Sequence, residues 1–196
     1  MEKIPNILST FRILLAPLFL FLYLQDIFFW RTLSLVIFFV AALTDFFDGY
    51  LARKFDVTSK FGAFLDPLAD KILTFTGFIC LPYLSPDEFP WWAIILIIAR
   101  DIIITFMRVL ASSRGVEMKT RATAKAKTAI QMVFLYISLT FGVLMLLGGK
   151  MGQWTDTLLA SGLFYWGLMA VVAVTLFSGL EYLLLNRNLF VKSSSG

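Results

Sequence analysis

Six stretches of about 20 mostly apolar residues, the length a helix needs to cross a bilayer, follow one another along this 196-residue chain and leave no room for a soluble domain between them. Their approximate limits are 7–25, 31–54, 61–84, 90–112, 124–148 and 158–185. The expected fold is therefore all-α: one polytopic membrane domain over residues 1–192 with six transmembrane helices. The breaks carry turn chemistry, at Gln25-Asp26, Ser85-Pro86-Asp87-Glu88, Ser112-Ser113-Arg114-Gly115 and Gly148-Gly149-Lys150. The first stretch contains Arg12 and Pro17 and lacks a small-residue cleavage site, so it reads as retained rather than as a removed signal peptide. Residues 193–196, Ser-Ser-Ser-Gly, read as a cloning scar outside the fold.

Basic residues set the orientation. Of the 17 Lys and Arg, all but Arg31 and Lys150 fall at or near ends that share a side with the N-terminus, which makes that side, and both termini, cytoplasmic. Trp30, Trp91, Trp92 and Trp154 fall at the opposite ends, as an interfacial aromatic belt does. The expected location is the plasma or inner membrane, multi-pass.

The composition then restricts the chemistry. Hydrophobic residues make up 59% of the chain, against roughly 45–50% for soluble domains. The chain has no histidine, which excludes an imidazole base, a Ser/His/Asp triad and His-ligated metal, and its one cysteine, Cys80, excludes thiolate zinc sites and intrachain disulfides. Carboxylates and cations remain. A charge at mid-membrane costs roughly 2.5–3.5 kcal/mol on insertion scales, so each one inside an apolar run needs a reason. A net charge of +4 suits an anionic lipid surface and is too mild, in so apolar a chain, for nucleic acid.

The acids concentrate at one place. Asp45 and Asp48 lie three apart near the end of the second stretch, and Asp66 and Asp70 four apart near the start of the third. On a helix each pair shares one face. A short basic loop joins the two stretches, so the helices are expected as antiparallel neighbours with all four carboxylates converging about 8–15 Å from the cytoplasmic ends, counted at about 1.5 Å per residue. Four carboxylates so placed repel one another unless protons or hard cations neutralise them. Oxygen-only donors suit Mg²⁺, Mn²⁺ or Ca²⁺. With two cations such a site holds a diphosphate, stabilises an in-line phosphoryl displacement and leaves one carboxylate as base for an attacking hydroxyl. The competing explanation, interhelical hydrogen bonds from protonated Asp, suits a single intramembrane acid better than four at one mouth. Gly49 and Gly62 flank the acids, where a small residue allows close approach of helix to helix or of backbone to ligand. Arg53 reads either as cytoplasmic surface charge or as a phosphate contact.

These residues carry a resemblance. Asp45-x-x-Asp48-Gly49-x-x-Ala52-Arg53, eight residues, then Gly62-x-x-x-Asp66-x-x-x-Asp70 matches every fixed position in the signature of the CDP-alcohol phosphotransferases. The resemblance implies that Asp45, Asp48 and Asp66 hold a di-metal centre of Mg²⁺ or Mn²⁺, that Asp70 completes it and activates the acceptor alcohol, and that Gly49, Ala52, Arg53 and Gly62 line the CDP site, with Asp48 contributing. It implies attack of an alcohol on the phosphorus that bears the lipid, with release of CMP, and a homodimer. The opening Ile4 to Arg12, with Asn6 and Ser9 expected beside the CDP, the run Ala99 to Arg108, the run Lys125 to Gln131, and Gly179 to Tyr182 are similar to bacterial members of the family that use CDP-diacylglycerol and sn-glycerol 3-phosphate. Two positions depart from their pattern: Ser9 stands where relatives usually have Thr, and Ala124 where Gly often precedes the lysine.

Independently of the resemblance, Arg100, Arg108, Lys125 and Lys127 place cations within or at the mouths of the fourth and fifth stretches, too many for a neutral acceptor, and form a candidate phosphate pocket. Snorkelling side chains at helix ends are the plainer reading of such residues, and Arg100 has the further option of pairing with a carboxylate such as Glu181. Serine, inositol phosphate or phosphatidylglycerol as acceptor would use the same chemistry. A divalent-cation transporter would also bury acids, but transporters place their sites near the midplane, often between repeated halves, and these acids cluster at one face of a chain without internal repeats.

Overall fold

A computed structural model describes the backbone of residues 3–55, 60–113 and 122–192, and the side chains of residues 10–44, 71–112, 123 and 126–186 within them. The basic stretch with Arg114, Lys119 and Arg121 and the tail 193–196 lie outside the described residues. The described chain is all-α. Its helices are α1 (Lys3–Tyr23), α2 (Phe28–Phe55), α3 (Lys60–Leu84), α4 (Trp91–Ser113), α5 (Ala122–Leu144), α6 (Gly149–Leu159) and α7 (Leu163–Lys192).

Every expected apolar stretch is helical, and the differences lie between the fifth and the last. A 3₁₀ turn over Met145–Leu147 ends the fifth segment, and Gly148 and Gly149 then adopt φ of 66° and 59°, a left-handed region where a Cβ is disfavoured. The short helix α6 follows, where a turn and the start of the last span were expected. It buries Gly152, Thr155 and Leu159, spaced to form one face, while Trp154 projects outward. Eleven residues with five polar ones among them escape a search for 20-residue apolar runs. Gly162, at φ 78°, turns the chain into α7, so the last long helix begins at Leu163 rather than near 158.

Packing fixes the order of the helices. Among the described residues α1 lies along both α2 and α3, which touch each other over a shorter stretch, α5 packs on α3 and α7, and α4 on α7 and α3. The core between α1, α2, α3 and α5 is built from Phe19, Tyr23, Phe38, Leu81, Leu135 and Leu139, all fully or almost fully buried. Phe19 and Phe38 rings meet at 4.8 Å, and the Tyr23 hydroxyl donates to the Leu139 carbonyl at 2.8 Å. Gly77 lets α3 approach α5, since a Cβ there would stand 2.8 Å from Leu135 Cδ2.

Two polar clasps close the end opposite the aspartates. Arg31, read from the sequence only as a cation of that side, is buried and donates to the carbonyls of Tyr23 (3.0 Å) and Gly142 (3.1 Å) and to Asp26 (2.7 Å). It thus places a cation on the carboxyl ends of α1 and α5, where the helix dipole favours one. Glu88, in the α3–α4 loop, accepts from the backbone N–H groups of Gly162 (3.1 Å) and Tyr165 (2.9 Å) at the start of α7.

Among the described residues two helical segments, Ala126–Leu147 and Leu163–Asn186, are long and apolar enough by themselves to cross a membrane; Thr10–Tyr23, Phe28–Thr44 and Lys71–Leu84 are shorter apolar stretches. Large apolar side chains face outward on several helices: Phe21, Phe39, Phe106, Trp166 and Phe177 are each more than half exposed. An outer surface so rich in large apolar groups marks a chain made to meet something other than water.

Candidate active site

The signature straddles two helix ends. Asp45 and Asp48, with Gly49, Ala52 and Arg53, lie on the last turns of α2, and Gly62, Asp66 and Asp70 on the first turns of α3. Their side chains, and those of Asn6, Ser9 and Lys125, lie outside the described residues. The backbone keeps the spacing that puts each aspartate pair on one helix face. Short connections make α1 antiparallel to α2, so the start of α1, the end of α2 and the start of α3 share one end of the bundle.

At that end the structure adds a residue that sequence reasoning passed over. Arg12, on α1, is 1% exposed and is among the largest fully buried side chains. At about 1.5 Å per residue it lies about 14 Å into α1, against about 15 Å for Asp45 from the end of α2 and Asp70 from the start of α3. Arg12 thus stands about as far along α1 as Asp45 and Asp70 do along their helices, and α1 packs against both α2 and α3. From sequence Arg12 is placed in the first apolar run and in the opening Ile4 to Arg12 with no role in the site, although a charge buried within an apolar run is itself a signal of function.

A second polar centre lies where α3, α4, α5 and α7 meet. Asp101, on α4, is 2% exposed. Lys127 Nζ on α5 donates to both its oxygens, at 2.6 and 2.7 Å, Arg100 donates to Oδ1 at 2.9 Å, and Lys71 Nζ on α3 stands 3.8 Å from Oδ2. The other arm of Arg100 donates to Ser178 Oγ on α7 at 3.0 Å. Beside it Gln131 donates to Thr175 at 3.1 Å, bridging α5 and α7. Arg100 does pair with a carboxylate, but with its neighbour Asp101 rather than Glu181, which accepts from Thr123 at 2.5 Å. Two of the four cations expected around an acceptor phosphate, Arg100 and Lys127, are therefore brought together by an acid that was not singled out. Arg108 sits apart and exposed, its guanidinium 5.7 Å from the centre of the Tyr182 ring.

Charge bookkeeping gives the centre its character. Among the described residues one carboxylate faces three cations, Lys71, Arg100 and Lys127, whose side chains are 18%, 13% and 3% exposed, so water is mostly excluded from the centre. Cations so placed attract an anion, because little solvent screens them. Lys71 directly follows Asp70 in the chain, so the cationic centre adjoins the aspartates through α3. The donor set on α2 and α3 is oxygen-only and so fits hard divalent cations.

The chain is 34% identical over 137 residues to a CDP-diacylglycerol–glycerol-3-phosphate 3-phosphatidyltransferase of Rickettsia typhi, covering 70% of this chain and 76% of the relative. Proteins of the same name from Salmonella typhimurium and Escherichia coli are each 36% identical over 138 residues, covering 68% of this chain and 74% of theirs. The sequence pattern of the CDP-alcohol phosphatidyltransferases matches residues 2–177, nearly the whole chain. It belongs to that family.

Proposed function

We propose that this protein transfers the phosphatidyl group of CDP-diacylglycerol to sn-glycerol 3-phosphate, giving phosphatidylglycerophosphate and CMP. The observation that carries the reading is the complete aspartate signature on the adjoining ends of α2 and α3. The names of the relatives, all of which act on this donor and this acceptor, support the choice of substrates.

Asp45, Asp48 and Asp66, with Asp70 completing the set, are the residues that would hold two Mg²⁺ or Mn²⁺ ions. Bound there, the ions supply neutralisation of the diphosphate and of the charge that gathers on phosphorus in the transition state. Gly49, Ala52, Arg53 and Gly62, with Asn6 and Ser9 from α1, bind the CDP moiety. Asp70 accepts the proton of the acceptor hydroxyl as its oxygen bonds to the lipid-bearing phosphorus. The bond from that phosphorus to the bridging oxygen breaks, and CMP leaves with the electron pair. Arg108, Lys125, Arg100 and Lys127 form the cationic side of the site that attracts the acceptor phosphate.

The protein works as a multi-pass membrane enzyme with six spans, both termini and the active site on the cytoplasmic side, and as a homodimer. The asymmetric distribution of Lys and Arg supports this orientation, and the outward apolar faces support contact with lipid. The test supplies detergent-solubilised protein with labelled CDP-diacylglycerol and, in turn, glycerol 3-phosphate, serine, inositol phosphate and phosphatidylglycerol. CMP release with glycerol 3-phosphate alone is expected. Release with serine and none with glycerol 3-phosphate would refute the choice of acceptor.

A further inference from the structure

We propose that Asp101 is a positioning residue for the acceptor: it gathers Lys71, Arg100 and Lys127 into one cationic wall and fixes where the phosphate of glycerol 3-phosphate is held. The proposal rests on the reading of Asp70 and of the acceptor given above.

Both oxygens of Asp101 are occupied. Oδ1 accepts from Lys127 at 2.6 Å and from Arg100 at 2.9 Å, and Oδ2 accepts from Lys127 at 2.7 Å with Lys71 at 3.8 Å. One buried carboxylate thus holds cationic groups from three helices, and Arg100 extends the link to α7 through Ser178 at 3.0 Å. Lysine side chains are long and flexible, and like charges this close repel; Ser178 holds one arm of Arg100, but the carboxylate is the group that draws all three heads to one point. With it, the wall keeps a fixed shape, and its ammonium and guanidinium groups are donors that a doubly charged phosphate complements. Anchoring Lys71 also fixes the rotation of α3 one residue beyond Asp70. The same carboxylate therefore sets the wall and the helix that bears the base in one register, and small misplacements of a reacting group cost large factors in rate.

A strut that only held the bundle together would act differently. Its loss would lower the amount of folded enzyme and leave the substrate dependence of the survivors unchanged. The test is steady-state kinetics on the full-length protein in detergent with Mn²⁺, at matched folded fraction, for Asp101→Asn and for the double variant Asp101→Asn/Lys127→Met. In Asp101→Asn the KM for glycerol 3-phosphate is expected to rise by about tenfold or more while that for CDP-diacylglycerol stays within about twofold. In the double variant the ammonium that donates to both Asp101 oxygens is removed together with its partner, so thermal stability recovers in part relative to the single variant, whereas the KM for glycerol 3-phosphate stays high. Unchanged KM values in Asp101→Asn, or an equal rise for both substrates, would overturn the proposal, as would return of the double variant to the wild-type KM. Asp70→Asn run in parallel separates the two readings: turnover near wild type in that variant removes the base and the proposal with it, while loss of turnover there leaves Asp101 to be judged on its own KM values.

Discussion

Glu88 holds the start of α7 from 74 residues away in sequence, and its removal should cost about 3 kcal/mol without touching the chemistry. Helix N-termini leave their first N–H groups without intrahelical partners. A capping box satisfies the N-cap and N3 donors from within the helix; here a single carboxylate from the α3–α4 loop takes both, Gly162 N–H at 3.1 Å and Tyr165 N–H at 2.9 Å. Glu88 is 7% exposed, so water does not readily replace it. Hydrogen bonds to a charged acceptor contribute about 1.5–3 kcal/mol each and the dipole about 0.3–1 kcal/mol. These terms overlap, and some water will enter the truncated site, which together give the figure of about 3 kcal/mol for Glu88→Ala. Glu88→Gln keeps one acceptor and turns an amide N–H toward the other donor, for a loss of about 2 kcal/mol. At about 2–4 °C per kcal/mol for a chain of this size, thermal unfolding in detergent should fall by about 6–12 °C for Glu88→Ala. Because the clasp lies at the end opposite the aspartates, kcat per folded molecule should stay within about twofold of wild type. A Glu88→Ala melting temperature within about 2 °C of the parent would show that the two N–H groups find other partners and would refute the argument.

Four further outcomes are expected. Asp70→Asn should lower kcat by about 10²–10⁴, the range for loss of a general base, while binding of CDP-diacylglycerol, followed by equilibrium dialysis of labelled substrate, is largely spared. Chelation by EDTA should abolish CMP release, and added Mg²⁺ or Mn²⁺ should restore it; full turnover in chelator would remove the cation site. Arg108→Ala should raise the KM for glycerol 3-phosphate by about threefold to tenfold with kcat little changed, whereas unchanged kinetics would leave the side chain as surface charge stacked on Tyr182. Gly77→Ala should destabilise by about 1–3 kcal/mol, the usual cost of overpacking, because the new Cβ meets Leu135 at 2.8 Å and Phe38 at 3.2 Å and both are fully buried; a melting temperature at or above wild type would show that α3 and α5 move apart cheaply.

The helices were legible because long apolar runs bounded by turn residues state their limits directly. The short helix α6 was not, since its order comes from glycines at positive φ and from one small buried face, neither of which changes mean hydropathy over 20 residues. The aspartate pairs were legible as register, three and four apart on known helix ends. What lies between those helices was not, because loop length predicts that α2 and α3 are neighbours and says nothing of α1, which packs along both.

Arg31, Arg12 and Asp101 show where sequence reasoning stops and why. Each is an ionised group that folding removes from water, and the cost of doing so is visible in the sequence as soon as the charge is found in or beside an apolar run. That cost was used to single out four aspartates, yet it applies with equal force to Asp101 in the middle of α4 and to Arg12 in α1. The sequence does not say what offsets it. For Arg31 the offset is carbonyls at two helix ends, one of them 111 residues away. For Asp101 it is a lysine 26 residues on and another 30 residues back, on separate helices. A charge whose partners come from several helices constrains how those helices can sit against one another, since each must present its group at hydrogen-bonding distance. The buried charges in this bundle therefore do two jobs that a hydropathy profile treats as one defect: they set the register of the helices, and where several cations gather on one carboxylate, as the described ones do around Asp101, they supply the positive groups that the proposed acceptor site calls for.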